Sequence, residues 1–177
     1  MWKGSRGFSL YELLVTLLIA ALVMTIGLPA FSGTVARHRQ RVEIDALFHA
    51  VHLARKESIL RRRVVSLCPS LDGRQCSASR DWSSGWLMFE NSDRDVPPHV
   101  DPGEPLLQRH TVDPTVRISA NRQGFTLRST VQRATTGTFV VCDREQRVQP
   151  RGLVISYTGR PRVARQTRAG KPYECAD

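Results

Sequence analysis

The residues best suited to chemistry in this chain are arginines. Between Arg144 and Lys171 stand seven arginines and one lysine against a single acid, Glu145. Guanidinium groups bind phosphate or carboxylate through two parallel hydrogen bonds, so such a run points to an anionic partner rather than to bond-breaking chemistry. Within it, "GRPR" at Gly159–Arg162 follows the strand-like "GLVISYT". Gly159 permits a turn, while Pro161 fixes its own backbone and withholds a donor. If extended, the segment turns Arg160 and Arg162 to the same side, roughly 6.5–7 Å apart. Phosphates repeat on a similar scale along a strand of DNA, so the pair can straddle two of them. Arg165, Arg168 and Lys171 continue the basic track. The competing reading, a solvated flexible tail, is weakened by Cys175, which can tie the tail to the fold.

Other constellations are poor. The five histidines, His38, His49, His52, His99 and His110, are scattered. His49 and His52 can share a helix face, but no cysteine or acidic pattern completes a metal site around them. Asp93 and Asp95 in "NSDRD" offer too few oxygen ligands at loop spacing for calcium. Trp82 and Trp86 can stack on bases, but with Met88 and Phe89 following they fit better in a sheet core. No catalytic residue, cofactor or metal site is expected, and the chain does not read as an enzyme.

The elements that position the arginines begin at the other end of the chain. "FSLYELLVTLLIAALVMTIGLP", Phe8 to Pro29, is 22 residues long, or roughly 33 Å of helix, enough to cross a bilayer. Lys3 and Arg6 precede it and favour keeping that end in the cytoplasm. Glu12 is the only charged side chain from Phe8 to Ala30. A carboxylate at such a place costs a few kcal/mol or more and usually marks a function or a partner. The run is too long for the apolar core of an ordinary secretory signal, and "MTIGLPAFSG" lacks an A-x-A-like cleavage site. A plain anchor fits the length but gives Glu12 no purpose.

The stretch "RGFSLYE" resembles the class III leader of type IV pilins and type II secretion pseudopilins. The resemblance implies that a prepilin peptidase cuts between Gly7 and Phe8 and that Phe8 is N-methylated. It also implies that Glu12 meets the amino terminus of a neighbouring subunit during filament assembly, where opposite charges compensate each other. Pro29 then matches a helix-kinking proline, loosened further by Gly27. The implied organisation is a leader over 1–7, a hydrophobic membrane and filament-core helix over 8–30, and a periplasmic globular domain over 31–177. The chain would sit in the inner membrane as a single-pass protein before joining other pilins in a type IV pilus.

Net charge is +10, and +8 once Lys3 and Arg6 are removed. Removal of the leader and apolar run leaves roughly 145 residues, enough for one domain with a core. Apolar residues at Phe31, Val35, Ile44, Leu47, Phe48, Val51 and Ala54 recur at helical spacing, so the helix is expected to continue to about Arg61. Arg37, Arg39 and Arg41 interrupt them; they can touch anionic headgroups, but a solvated helix face is the simpler reading. Strands are expected at Val64–Cys68, Gly85–Asn91, Thr115–Ser119, Gly124–Ser129, Gly137–Asp143 and Gly152–Thr158, with a long loop in "NSDRDVPPHVDPGEP". The expected fold is α+β and type IV pilin-like: a long N-terminal helix packed on a mostly antiparallel β-sheet.

None of the four cysteines forms a C-x-x-C pair, which disfavours zinc and redox readings. Outside the cytoplasm disulfides are stable. Cys68–Cys76 closes the turn-rich loop "CPSLDGRQC", leaving Cys142–Cys175 to tie the tail to a strand. "ARKESILRRRVVSLCPS", "DWSSGWLMFEN" and "GLVISYTGRPRVA" resemble the GspH/FimT branch of minor pseudopilins and minor pilins. FimT-like proteins carry a G-R-x-R motif near the C-terminus and are associated with binding double-stranded DNA for natural transformation. The motif stands here at Gly159, Arg160 and Arg162, and the basic tail favours FimT over GspH. The rivals are a GspH-like pseudopilin of a type II secretion system, and a minor pilin serving pilus assembly or twitching without DNA contact.

Overall fold

A computed structural model describes residues 9–129 and 133–175, except for the side chains of 26–30. The expected cleavage site at Gly7 and Phe8 lies outside the described residues. The chain divides into two compact units, Met1–Val35 and Ala36–Asp177.

Helix α1 spans Leu10–Arg61 and runs unbroken through Pro29. In the first unit its start is closed by a reciprocal cap. The Glu12 amide donates to Ser9 Oγ at 3.3 Å, while the Ser9 amide donates to Glu12 Oε2 at 2.9 Å. This is a capping box, and it satisfies two of the backbone donors that every helix start leaves unpaired. Glu12 therefore has a local partner in its own chain. Leu13, Leu14, Leu17, Leu18, Ile19 and Leu22 are all exposed. Among the described residues no helix is long and apolar enough to cross a membrane; the 8–30 segment expected to do so lies partly outside them.

In the second unit α1 is amphipathic. Ala36, Gln40, Glu43, Ile44, Leu47, Ala50, Val51, Ala54 and Ser58 are buried, a stripe at steps of three and four residues. Arg39 is not simply solvated: its Nη1 donates to Thr115 Oγ1 at 3.2 Å and its Nε lies 3.8 Å from Asp113. Arg41 pairs with Asp45 one turn on.

Among the described residues eight strands follow: β1 (Val65–Pro69), β2 (Trp86–Glu90), β3 (Leu106–His110), β4 (Val116–Ala120), β5 (Phe125–Leu127), β6 (Gly137–Asp143), β7 (Arg151–Ile155) and β8 (Pro161–Ala164). They form two four-stranded sheets, ordered β3-β2-β1-β5 and β4-β6-β7-β8, with every pairing antiparallel. The expected sheet is thus divided in two. Phe125 of the first sheet, Phe139 of the second and Trp82 join them, with ring centroids 4.5–5.8 Å apart. Ile44, Leu47, Val51 and Ala54 of α1 belong to the same buried cluster. Trp82 and Trp86 are both fully buried, so neither can stack on a base.

Candidate functional site

The second sheet has two faces of opposite character because side chains alternate along a strand. Val116, Ile118, Phe139, Val141, Leu153 and Ile155 point into the core and are buried. Arg117, Ser119, Thr138, Val140, Val154 and Arg162 line a groove on the other side. Arg117 and Arg162 stand on the two outer strands, about 14 Å apart across the sheet and, level with Cys142 and Thr138 of β6 respectively, offset by about 13 Å along it.

The C-terminal tail walls this groove. Cys142 of β6 is bonded to Cys175 (S–S 2.09 Å), and Cys68 to Cys76 (2.00 Å). Tyr173 packs its ring against β7 where a side chain would obstruct it: a Cβ on Gly152 would overlap Tyr173 Cζ. Before that contact the tail makes a tight turn, with the Thr167 amide donating to Lys171 O at 2.7 Å and Gln166 bridging Pro172. The basic C-terminus is therefore folded onto the sheet. Gly152→Val should lift Tyr173 and loosen this wall. The expected readout is several-fold faster tryptic cleavage after Arg165 and Arg168, the bond after Lys171 being protected by Pro172, with the thermal transition of the core retained.

The groove has a volume of about 1080 Å³. Arg80, Arg117, Arg144, Arg162 and Arg168 line it, against one carboxylate, Asp81. Arg80 is held at the β4 edge by the bond from the Ala120 amide to its carbonyl, 2.9 Å. Among the described residues Arg80, Arg144, Arg162 and Arg168 form no ion pair. Elsewhere, Arg61, Arg63 and Arg147 all do. Val140 and Val154 give the groove an apolar floor.

The structure separates the five basic residues singled out in the sequence. Arg162 and Arg168 line the groove. Arg160 leaves the β7–β8 turn, where the Gly159 amide donates to Ser156 O at 2.9 Å and the Ser156 amide to Arg160 O at 3.1 Å. Gly159 has φ of +73°, which only glycine adopts without strain, and a Cβ there would meet Leu127 Cδ1 at 2.9 Å. Arg160 and Lys171 are exposed but do not line the groove. Arg165 faces a different cleft, beside Arg37, Arg147 and Arg151. Sequence reasoning missed Arg80 and Arg117. The alternation in "VRIS", with Val116 and Ile118 inward, was a signal that Arg117 points outward.

Other polar groups are occupied locally. His110 Nε2 lies 2.7 Å from Glu43 Oε2, its ring stacks on Trp86, and the Asp113 amide donates to Glu43 Oε1 at 3.0 Å. This buried acid on α1 is thereby tied to the end of β3 and the loop after it. Carboxylate oxygens of Asp93, Asp95 and Asp101 lie within 4.8 Å of one another. Asp95 already accepts from Asn91 Nδ2 and the His99 amide.

The model of the family described as "Type II transport protein GspH" matches residues 43–159, and that of the "Prokaryotic N-terminal methylation motif" matches residues 2–28. No curated protein sequence matches the chain. Among solved structures, the type IV minor pilin FimU of Pseudomonas aeruginosa is similar in fold. In one crystal form it is 20% identical, with 72% of this chain and 90% of that one covered at a TM-score of 0.54; in another the TM-score is 0.52. The minor pseudopilin EpsH from the type 2 secretion system of Vibrio cholerae is 11% identical, with 71% of this chain and 96% of that one covered at a TM-score of 0.50. With a methylation motif at its start and the GspH pattern over most of its second unit, the chain belongs to the GspH family, and it shares the fold of the minor pilin FimU and the minor pseudopilin EpsH.

Proposed function

We propose that the protein is a FimT-like minor pilin that binds double-stranded DNA along the arginine groove and serves DNA uptake in natural transformation. One observation carries the reading: five arginines from five separate chain segments converge on one face with a single acid among them. Arg162 and Arg168 contact phosphates from within the groove, Arg160 contacts one from the turn beside it, and Lys171 extends the positive field beyond. Such contacts fix position without reading bases, so binding is independent of sequence and falls steeply with salt. The protein acts as a filament subunit and catalyses nothing itself.

Prepilin peptidase cleaves after Gly7, and Phe8 is methylated. The 8–30 segment sits in the inner membrane with the 31–177 domain in the periplasm until assembly, when it joins other pilins. The exposed leucines of the first unit support this, because lipid or neighbouring helices must cover them. Mass spectrometry of the membrane-extracted chain should find a methylated Phe8 at the start; a start near Ser32 would contradict the pilin route.

The second reading is a pseudopilin of a type II secretion system, which the GspH match and the likeness to EpsH favour. In it the same face docks an acidic neighbouring subunit. A mobility-shift titration of the full chain in detergent, with two unrelated duplexes, separates the two. Equal retardation of both duplexes, lost as salt rises, supports DNA binding. No retardation at low salt favours the pseudopilin.

A further inference from the structure

A second basic concavity lies apart from the groove, within the second unit. Arg37 of α1, Arg147 before β7, Arg151 at its start and Arg165 just after β8 line a cleft of about 340 Å³, and no carboxylate lines it. The walls are fixed. Gln40 of α1, itself buried, donates through Nε2 to Val141 O at 2.9 Å and Gln149 O at 3.0 Å, which holds the β6–β7 connection against the helix. Arg147 is clamped to Asp143 by two bonds of 2.9 and 2.7 Å. That pairing holds the Asp143 carboxyl below the usual aspartate range. Arg147 is thus answered by an acid, whereas Arg151 and Arg165 form no ion pair among the described residues. Like charges brought together in a concavity repel, and a bound anion relieves the repulsion.

The dimensions select the anion. The volume is at the small end for ligand sites and suits one phosphate with a short polar group, not a duplex. The chain supplies the rest of the argument. Arg37 follows Pro29, the end of the apolar run, by only eight positions in the sequence, so one wall of the cleft is close along the chain to the segment read as the anchor. We propose that this cleft grips the phosphodiester headgroup of an anionic phospholipid while the chain resides in the membrane. The proposal rests on the reading of 8–30 as a membrane anchor, and not on DNA binding.

The test is native mass spectrometry of the full chain in detergent, titrated with phosphatidylglycerol, with phosphatidylcholine, and with inorganic phosphate. The expected result is one phosphatidylglycerol retained more tightly than phosphatidylcholine. Each basic residue near an anionic surface contributes about fivefold, so R151Q/R165Q should lose roughly 25-fold of that preference. R151K/R165K, which keeps the charge, should restore most of it and so excludes misfolding as the cause. Equal retention of both lipids, unchanged by R151Q/R165Q, overturns the cleft assignment while leaving the anchor intact. Retention of neither lipid overturns the anchor and the proposal with it. Inorganic phosphate held as tightly as the lipid makes this a free-phosphate site and overturns the lipid. A fall in duplex DNA affinity in R151Q/R165Q with lipid retention unchanged assigns the cleft to DNA instead.

Discussion

Replacing Arg160, Arg162 and Arg168 together with glutamine should flatten the salt dependence of duplex DNA binding by about 2.7 units of log affinity per log salt. Each neutralised phosphate contributes about 0.9 to that slope. Between 50 and 200 mM salt, wild-type affinity should therefore fall about 40-fold further than that of the variant. The loss should be the same for every duplex sequence, because phosphate contacts carry no base information. The fold should survive, since all three side chains are exposed. A charge-matched control makes the result specific. Arg41, Arg61 and Arg63 stand beside Asp45, Glu57 and Glu90, so their replacement removes the same charge from sites already answered by acids. The control should keep the wild-type slope. A control as damaging as the groove variant would reduce the effect to net charge alone.

The second large effect concerns the tail. Cys142 and Cys175 are 33 residues apart, and closing a loop of that length contributes about 3.7 kcal/mol through the unfolded chain. Replacing both with serine should lower the thermal midpoint by roughly 10 °C, given the size of the domain. It should also free the segment bearing Arg168, Tyr173 and Lys171, so the groove loses one wall and DNA affinity falls. The disulfide between Cys68 and Cys76 closes only 8 residues and contributes about 2.5 kcal/mol. Neither of its cysteines lines the groove, so its removal should cost stability while leaving the salt slope unchanged. Calorimetry and DNA titration on both variants separate stability from binding. If both variants lose DNA affinity in proportion to stability, the pinned tail has no special part in the site.

Much of this was legible before the structure. The second half of α1 follows from apolar residues at three- and four-residue steps. Most strands follow from runs rich in Val, Leu and Phe between turn residues. The strand β3, "LLQRH", was hidden because it lies at the edge of its sheet, half-exposed, so its pattern has no alternation of apolar and polar. The short β8 was obscured by Pro161, which a strand accepts at its first residue on a sheet edge. That eight strands divide into two sheets depends on pairings across long stretches of chain, such as β1 with β5, and no local pattern carries that information. The candidate site shows the same limit. The basic run in 144–171 was visible as a charge excess, but it divides between a groove and a cleft. The partners of Arg162 and Arg168, Arg80 and Arg117, come from far earlier in the chain and meet them only through the order β4-β6-β7-β8. The tie between Glu43 and His110, 67 positions apart, was invisible for the same reason.

The central claim is that DNA lies along the outer face of the second sheet. Photo-crosslinking the full chain to a duplex carrying reactive backbone groups, followed by peptide mapping, tests it most directly. Crosslinks should fall on β8 and the tail, over 160–171, and on β4 around Arg117. Crosslinks confined to α1 or to the first sheet, or none at low salt with both disulfides intact, would contradict it.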